Sequence, residues 1–264
     1  MPKEKKLPNP QENKMGIMPV GRLLFTMALP MIIAMLVQAL YNVVDSIYVS
    51  RISEKAVTAL SLAFPVQNIL IGFATGVGVG VNALLSKSLG EGNQKAANRA
   101  AGNGVFLAVS AMLLFVLFGI FGTRPFFSLQ SDVPETVEGG TIYTAICCIG
   151  SLGIFIEVLG ERLLQSSGRT FYTMITQGTG AVINIVLDPV FIFGFAPLGI
   201  PAMGIAGAAV ATIIGQWVAA ILAVIFNLKC NPDVQFALSY LKPKKSSILP
   251  ILTVGVPSII MMAI

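Results

Sequence analysis

Residues 27–50, MALPMIIAMLVQALYNVVDSIYVS, form an apolar run interrupted by Gln38, Tyr41, Asn42 and Asp45. A helix needs about 20 apolar residues, at ~1.5 Å each, to cross a bilayer, so the run is long enough. Positions i, i+3, i+4 and i+7 share one helical face. The run therefore predicts an apolar rod with one narrow polar stripe that ends in a carboxylate. A soluble helix hides an apolar stripe. This one has a polar stripe to hide, and in lipid only neighbouring rods can hide it.

The rest of the chain agrees. Of 264 residues 55% are hydrophobic and 11% charged, against about 25% charged in ordinary globular domains. The class is an all-α polytopic membrane protein. The net charge of +5 carries no nucleic-acid signal; what matters is which loops hold it. No cleavable signal peptide is read, because the first span is too long for one. Cys147, Cys148 and Cys230 have neither disulfide-framework nor zinc spacing and are expected to be free thiols. The chain has no histidine, which removes Ser/His and HExxH chemistry. No paired-aspartate protease motif is present, nor a buried lysine for a retinal Schiff base. An enzyme is not expected, and neither is a cofactor.

Seven apolar runs follow a polar tail at 1–22: 23–49, 57–86, 100–122, 141–165, 171–195, 205–228, and one that starts at 248. Pro30 should bend the first. In the second, Gly72, Gly76 and Gly80 form a ridge that lets another helix come close, while Ser61, Asn68, Thr75 and Asn82 mark a polar face. Residues 87–99 and 123–140 read as loops, the latter with a helix start near Pro134. The third run should face lipid more than the interior. In the fifth, Gln177, Asn184 and Asp188 share a face, and the sixth carries Thr212 and Gln216. Residues 229–247 read as a polar connector.

Two regularities organise these runs. Arg51, Lys55 and Arg124 fall on one side of the span model, and all other Lys and Arg on the opposite side. The positive-inside rule then places the N-terminus and the Lys242–Lys245 cluster in the cytoplasm, in a plasma (inner) membrane. In addition, LLFTMALPMIIAM (23–35) resembles PILTVGVPSIIMM (250–262). Thr26 aligns with Thr253, Pro30 with Pro257, and Met35 with Met262. An even number of spans per unit implies parallel repeats in a 6+6 architecture. The expectation is a six-helix N-lobe (23–228), a cytoplasmic connector (229–247) and the start of a seventh span (248–264). The chain reads as a fragment of a longer protein, with a C-terminal lobe expected beyond it.

ALPMII…QALYNVVDSIYVSRI, GFATGVGVGVNALLSKSLGEGN and INIVLDPVFIFGFAPLGIPAMGIAGAAVAT resemble the multidrug and toxic compound extrusion (MATE) family, nearest its DinF-like and MepA-like branches. The resemblance covers nearly the whole chain beyond residue 20. It implies two six-helix lobes, alternating access, and export of cationic, amphipathic small molecules in exchange for inward H+ or Na+. The family's N-lobe cation site would be Asp45 with Asn184 and Asp188, which could also hold Na+. Glu161 matches a span-4 glutamate used by some members. Gln38, Tyr41, Asn42, Asn68, Gln177 and Thr212 are the expected cavity residues.

Each acid has a bland reading beside the functional one. Asp45 could be an interface acid paired with Arg51. Asp188 could be a helix cap before Pro189. Glu161 could form a surface pair with Arg162, and Glu157 is weaker still as a coupling residue. Two alternatives to drug export also stand. One is a lipid-linked oligosaccharide flippase of the same superfamily, although such cavities carry Arg or Lys for pyrophosphate. The other is a half-protein that transports nothing by itself.

Overall fold

A computed structural model describes Met15 and residues 18–263. Most of the expected tail at 1–22 lies outside these described residues. The helices are α1 (Val20–Ser50), α2 (Glu54–Gly90), α3 (Gln94–Phe121), α4 (Thr123–Ser128), α5 (Pro134–Ile149), α6 (Leu152–Ser166), α7 (Thr170–Phe193), α8 (Ile205–Cys230) and α9 (Lys245–Ala263). By length and composition 6 of them can cross a membrane, and α5 with α6, bent by 48°, can act as one more span.

Local chemistry explains the boundaries. Ser53 caps α2 by accepting from the Ala56 amide at 3.1 Å, and Asn93 caps α3 by accepting from the Ala96 amide at 3.0 Å. Between those helices only residues 91–93 leave helical geometry, with Gly92 at φ 69°. The loop read at 87–99 is therefore mostly helix, since one capping asparagine and one left-handed glycine reverse the chain. Residues 123–128, also read as loop, form α4. The start at Pro134 is observed, because proline suits the first helical turn.

The third run divides in two. The first half of α3 is packed through Ala97, Ala100, Ala101, Asn103 and Gly104, while Leu113, Leu114, Leu117, Ile120 and Phe121 are exposed. The second half of α3 thus has the exposed apolar surface that the lipid-facing expectation requires, and the first half does not. Alanine and glycine in the first half let neighbouring backbones approach, which a scan for polar groups overlooks.

α2 is the most buried of the long helices and contacts α3, α5, α6 and α9. Its glycine ridge receives α9. A Cβ on Gly76 would meet the Gly255 carbonyl at 2.7 Å and run into Ile259, one on Gly80 would run into the Ile251 backbone, and one on Gly72 would touch Met262 at 3.5 Å. In the repeat, Ile251, Gly255, Ile259 and Met262 correspond to Leu24, Ala28, Ile32 and Met35 of α1, and all four of these are exposed. α1 packs instead along α7.

The chain from Asn231 to Lys244 is tied down by side chains of α3. Asn98 Oδ1 accepts from the Gln235 amide at 2.9 Å and Asn103 Oδ1 from the Lys244 amide at 2.8 Å. Asn103 Nδ2 donates to the Tyr240 carbonyl at 3.3 Å, and Arg169 pairs with Asp233 at 3.4 Å.

Candidate functional site

A cavity of about 450 Å³ opens among α1, α2, α6, α7 and α8. Gln38 and Tyr41 enter its wall from α1, and Thr75 from α2. Glu157, Glu161, Arg162 and Gln165 come from α6, Thr173, Gln177 and Asn184 from α7, and Thr212 and Gln216 from α8. Apolar residues such as Met31, Met35, Ile71, Ile154 and Met262 complete the lining. The helical period does the positioning. Thr173, Gln177, Gly180 and Asn184 step along one face of α7 three or four residues at a time.

Asp45 and Asp188 lie behind this wall. Asp45 is 8% and Asp188 0% exposed. Each sits five residues before the end of its helix, α1 at Ser50 and α7 at Phe193. The helices pack side by side, and Asp188 is within electrostatic reach of Asp45. Asn184 bridges the group to the cavity. With its amide oriented to satisfy both neighbours, Nδ2 donates to Asp188 Oδ2 at 3.1 Å and Oδ1 accepts from the Thr212 amide at 3.1 Å. Asp45 Oδ1 is buried without a hydrogen-bond partner. An unpaired carboxylate oxygen is costly in a dry interior. A proton or a cation at this oxygen would remove that cost.

Tyr41 lies within electrostatic reach of Asp45, Asp188 and Glu157. Glu161 is 3% exposed and both its oxygens are engaged. Thr176 Oγ1 lies 2.8 Å from Oε1 and shares its one proton between that oxygen and the Thr173 carbonyl, also at 2.8 Å, while Gln177 Nε2 donates to Oε2 at 2.8 Å. Arg162 turns to Gln165, with Nη1 donating to Oε1 at 2.9 Å.

No ion pair joins Asp45 to Arg51 among the described residues. Asp188 is inside α7, with Pro189 continuing the helix, so it is not a cap. Glu161 is no surface partner of Arg162, since two hydroxyl and amide donors from α7 hold it. Of the expected cavity residues, Gln38, Tyr41, Gln177 and Thr212 line the cavity. Asn42 and Asn68 do not. Asn42 stands at the outer edge of its stripe, in a shallow groove with Val43, Ser46 and Ile47, and Asn68 is exposed on α2. A stripe of i, i+3, i+4 and i+7 spans about 100° of arc, wider than the strip that neighbours cover here. Sequence reasoning undervalued Glu157, which lines the cavity, and passed over Gln67. Gln67 Nε2 donates to the Tyr143 hydroxyl at 2.9 Å beside Cys147. The i, i+4 spacing of Glu157 and Glu161 was the available signal.

These features define a polytopic helical membrane protein with a polar, acid-lined cavity between its spans, the class of small-molecule carriers. Residues 30–190 match the family model MatE, and the chain belongs to the MatE family of transporters.

Its relatives are carriers. It is 31% identical over 207 residues to a FAD transporter of Shewanella oneidensis, covering 76% of this chain and 44% of that protein. It is 24% identical over 235 residues to the multidrug export protein MepA of Staphylococcus saprophyticus, covering 89% and 51%. Among solved structures, MATE in complex with MaL6 superposes with a TM-score of 0.85 at 28% identity, covering 91% of this chain and 52% of that one. A MOP superfamily transporter from Pyrococcus furiosus, described as having a binding pocket of reverse polarity, gives 0.78 at 26% identity, covering 98% and 56%. The chain thus spans about half the length of the relatives it matches.

Proposed function

We propose that this chain is the ion- and substrate-binding half of an antiporter that exports cationic, amphipathic small molecules in exchange for inward H+ or Na+. Asp45, Asn184 and Asp188 take the ion, and the wall with Gln38, Tyr41, Glu157, Glu161, Gln177 and Thr212 takes the substrate. The observation that carries the reading is the unpartnered buried oxygen of Asp45 within electrostatic reach of Asp188, which Asn184 links to an acid-lined cavity. The chain lies in the plasma membrane with its lysine-rich side in the cytoplasm. A second six-helix lobe completes the path.

The coupling is differential binding. An ion that prefers one arrangement of α1 against α7 shifts the protein toward it, and by linkage lowers the affinity for substrate in that state. One charge entering at 100 mV supplies about 2.3 kcal/mol. That sustains roughly a 40-fold gradient of a neutral substrate at ~1.4 kcal/mol per decade.

The FAD transporter relative raises an anionic substrate as a second reading, and a flippase for lipid-linked pyrophosphate raises the same chemistry. Both call for cationic side chains in the cavity. Arg162 is the one cation among the lining residues, and it is bonded to Gln165 beside Glu161. The wall favours cations.

The test is equilibrium binding of tetraphenylphosphonium to the purified chain. Binding should weaken on adding Na+ at fixed pH, or on acidification. Binding of flavin dinucleotide in preference to tetraphenylphosphonium would reject the cationic assignment.

A further inference from the structure

A second cavity, of about 250 Å³, lies on another side of the bundle. No residue of α1, α7 or α9 lines it. α6 forms its floor between α3 and α8, and the connector's Phe236 joins the lining. Its rims are exposed, Val109 at 39% and Leu228 at 66%. Nothing polar is left to face into it. Asn227, the one polar side chain in its lining, donates at 2.8 Å to the carbonyls of Gly160 and Ala223 and accepts from Asn231 at 3.0 Å.

Its length and ends say what it fits. The floor runs along α6 from Leu152 to Leu163, a rise of ~16 Å. That matches one leaflet of a hydrocarbon core of about 30 Å. Leu152 follows the bend at the middle of the α5–α6 span, and Leu163 lies toward the lysine-rich side. Two exposed lysines flank that end. Lys229 follows Leu228, and Lys95 is one turn before Asn98, which holds the connector. Neither is ion-paired among the described residues, and the nearby acid Asp233 is already paired with Arg169.

We propose that this groove binds one acyl chain of an anionic glycerophospholipid from the lysine-rich leaflet, with its headgroup at Lys95 and Lys229. The groove opens to a medium made of acyl chains, so its occupant needs no entry path. The two lysines select the headgroup charge. The site is separate from the ion and substrate cavity, so it can stand or fall independently of the transport reading.

The chain has a single tryptophan, Trp217, whose ring packs on Gly153 at the inner end of the groove. The full chain in phosphatidylcholine nanodiscs is titrated with phosphatidylglycerol brominated near its acyl terminus, and Trp217 fluorescence is read. Saturable quenching is expected, with a roughly 30-fold preference over brominated phosphatidylcholine, as two lysines near a membrane surface would give. The preference should vanish in the double variant K95Q/K229Q. Saturation should be lost in Val109→Phe, which fills the groove from its exposed rim. Ile156→Phe repeats the test should Val109→Phe fold poorly. Quenching that rises linearly with mole fraction, equal for both lipids and unchanged by either filling variant, would mean annular lipid only and would overturn the proposal. So would saturable quenching relieved by an apolar drug with no lipid preference.

Discussion

Glu161 and Asp45 are both buried acids around one cavity, yet their surroundings differ. Each oxygen of Glu161 has a donor, Thr176 and Gln177, on the neighbouring helix. Asp45 keeps one oxygen with none. Each has a second acid within electrostatic reach, Glu157 for Glu161 and Asp188 for Asp45, so the difference lies in the donors. A carboxylate with a donor within reach of each oxygen is already stabilised and gains less from an ion. A carboxylate with an oxygen unsatisfied gains most. The same residue class thus serves as a fixed negative wall in one place and as an exchangeable site in the other.

The largest effect expected from this contrast is at the aspartates. Asp45→Asn and Asp188→Asn should each abolish the ion-dependent drop in tetraphenylphosphonium affinity, a coupling expected at roughly 5–150-fold. Equilibrium binding with and without Na+ or acid reads it. Glu161→Gln should preserve that ion response while weakening tetraphenylphosphonium itself. If instead Glu161→Gln removes the ion response, the division of roles is broken.

Next comes Asn184→Leu, which takes away the amide between Asp188 and Thr212. Partners of this kind typically tune ion affinity by ~10–100-fold, so a rightward shift of the Na+ or proton titration is expected with tetraphenylphosphonium binding retained. The smallest effect belongs to Thr176→Val. One interhelical hydrogen bond in a membrane is worth ~0.6 kcal/mol, so a slight loss of thermal stability and a normal ion response are predicted.

Much of the fold was legible because lipid makes the rules simple. Runs of about 20 apolar residues gave the spans, and the small-residue ridge of α2 announced a close helix, which proved to be α9. Turn lengths were less legible, because three residues around Gly92 and Asn93 suffice to reverse the chain between α2 and α3. In the site, shared helical faces brought Asp45, Asn184, Asp188, Tyr41, Gln177 and Thr212 to one region. They could not say that Asn42 falls outside the covered arc. Nor could they say that Asp45 and Asp188 stand behind the cavity wall while Glu157 and Glu161 stand in it. That distinction depends on which helices abut, and α1 chooses α7 over α2 for reasons of packing that no single helix encodes.

Site-resolved carbodiimide labelling of the purified chain, read by mass spectrometry, tests the central claim most directly. Na+ should protect Asp45 and Asp188 at fixed pH, or acid should raise their labelling, while tetraphenylphosphonium protects Glu157 and Glu161. Ion protection confined to Glu157 and Glu161, with the aspartates indifferent, would contradict it.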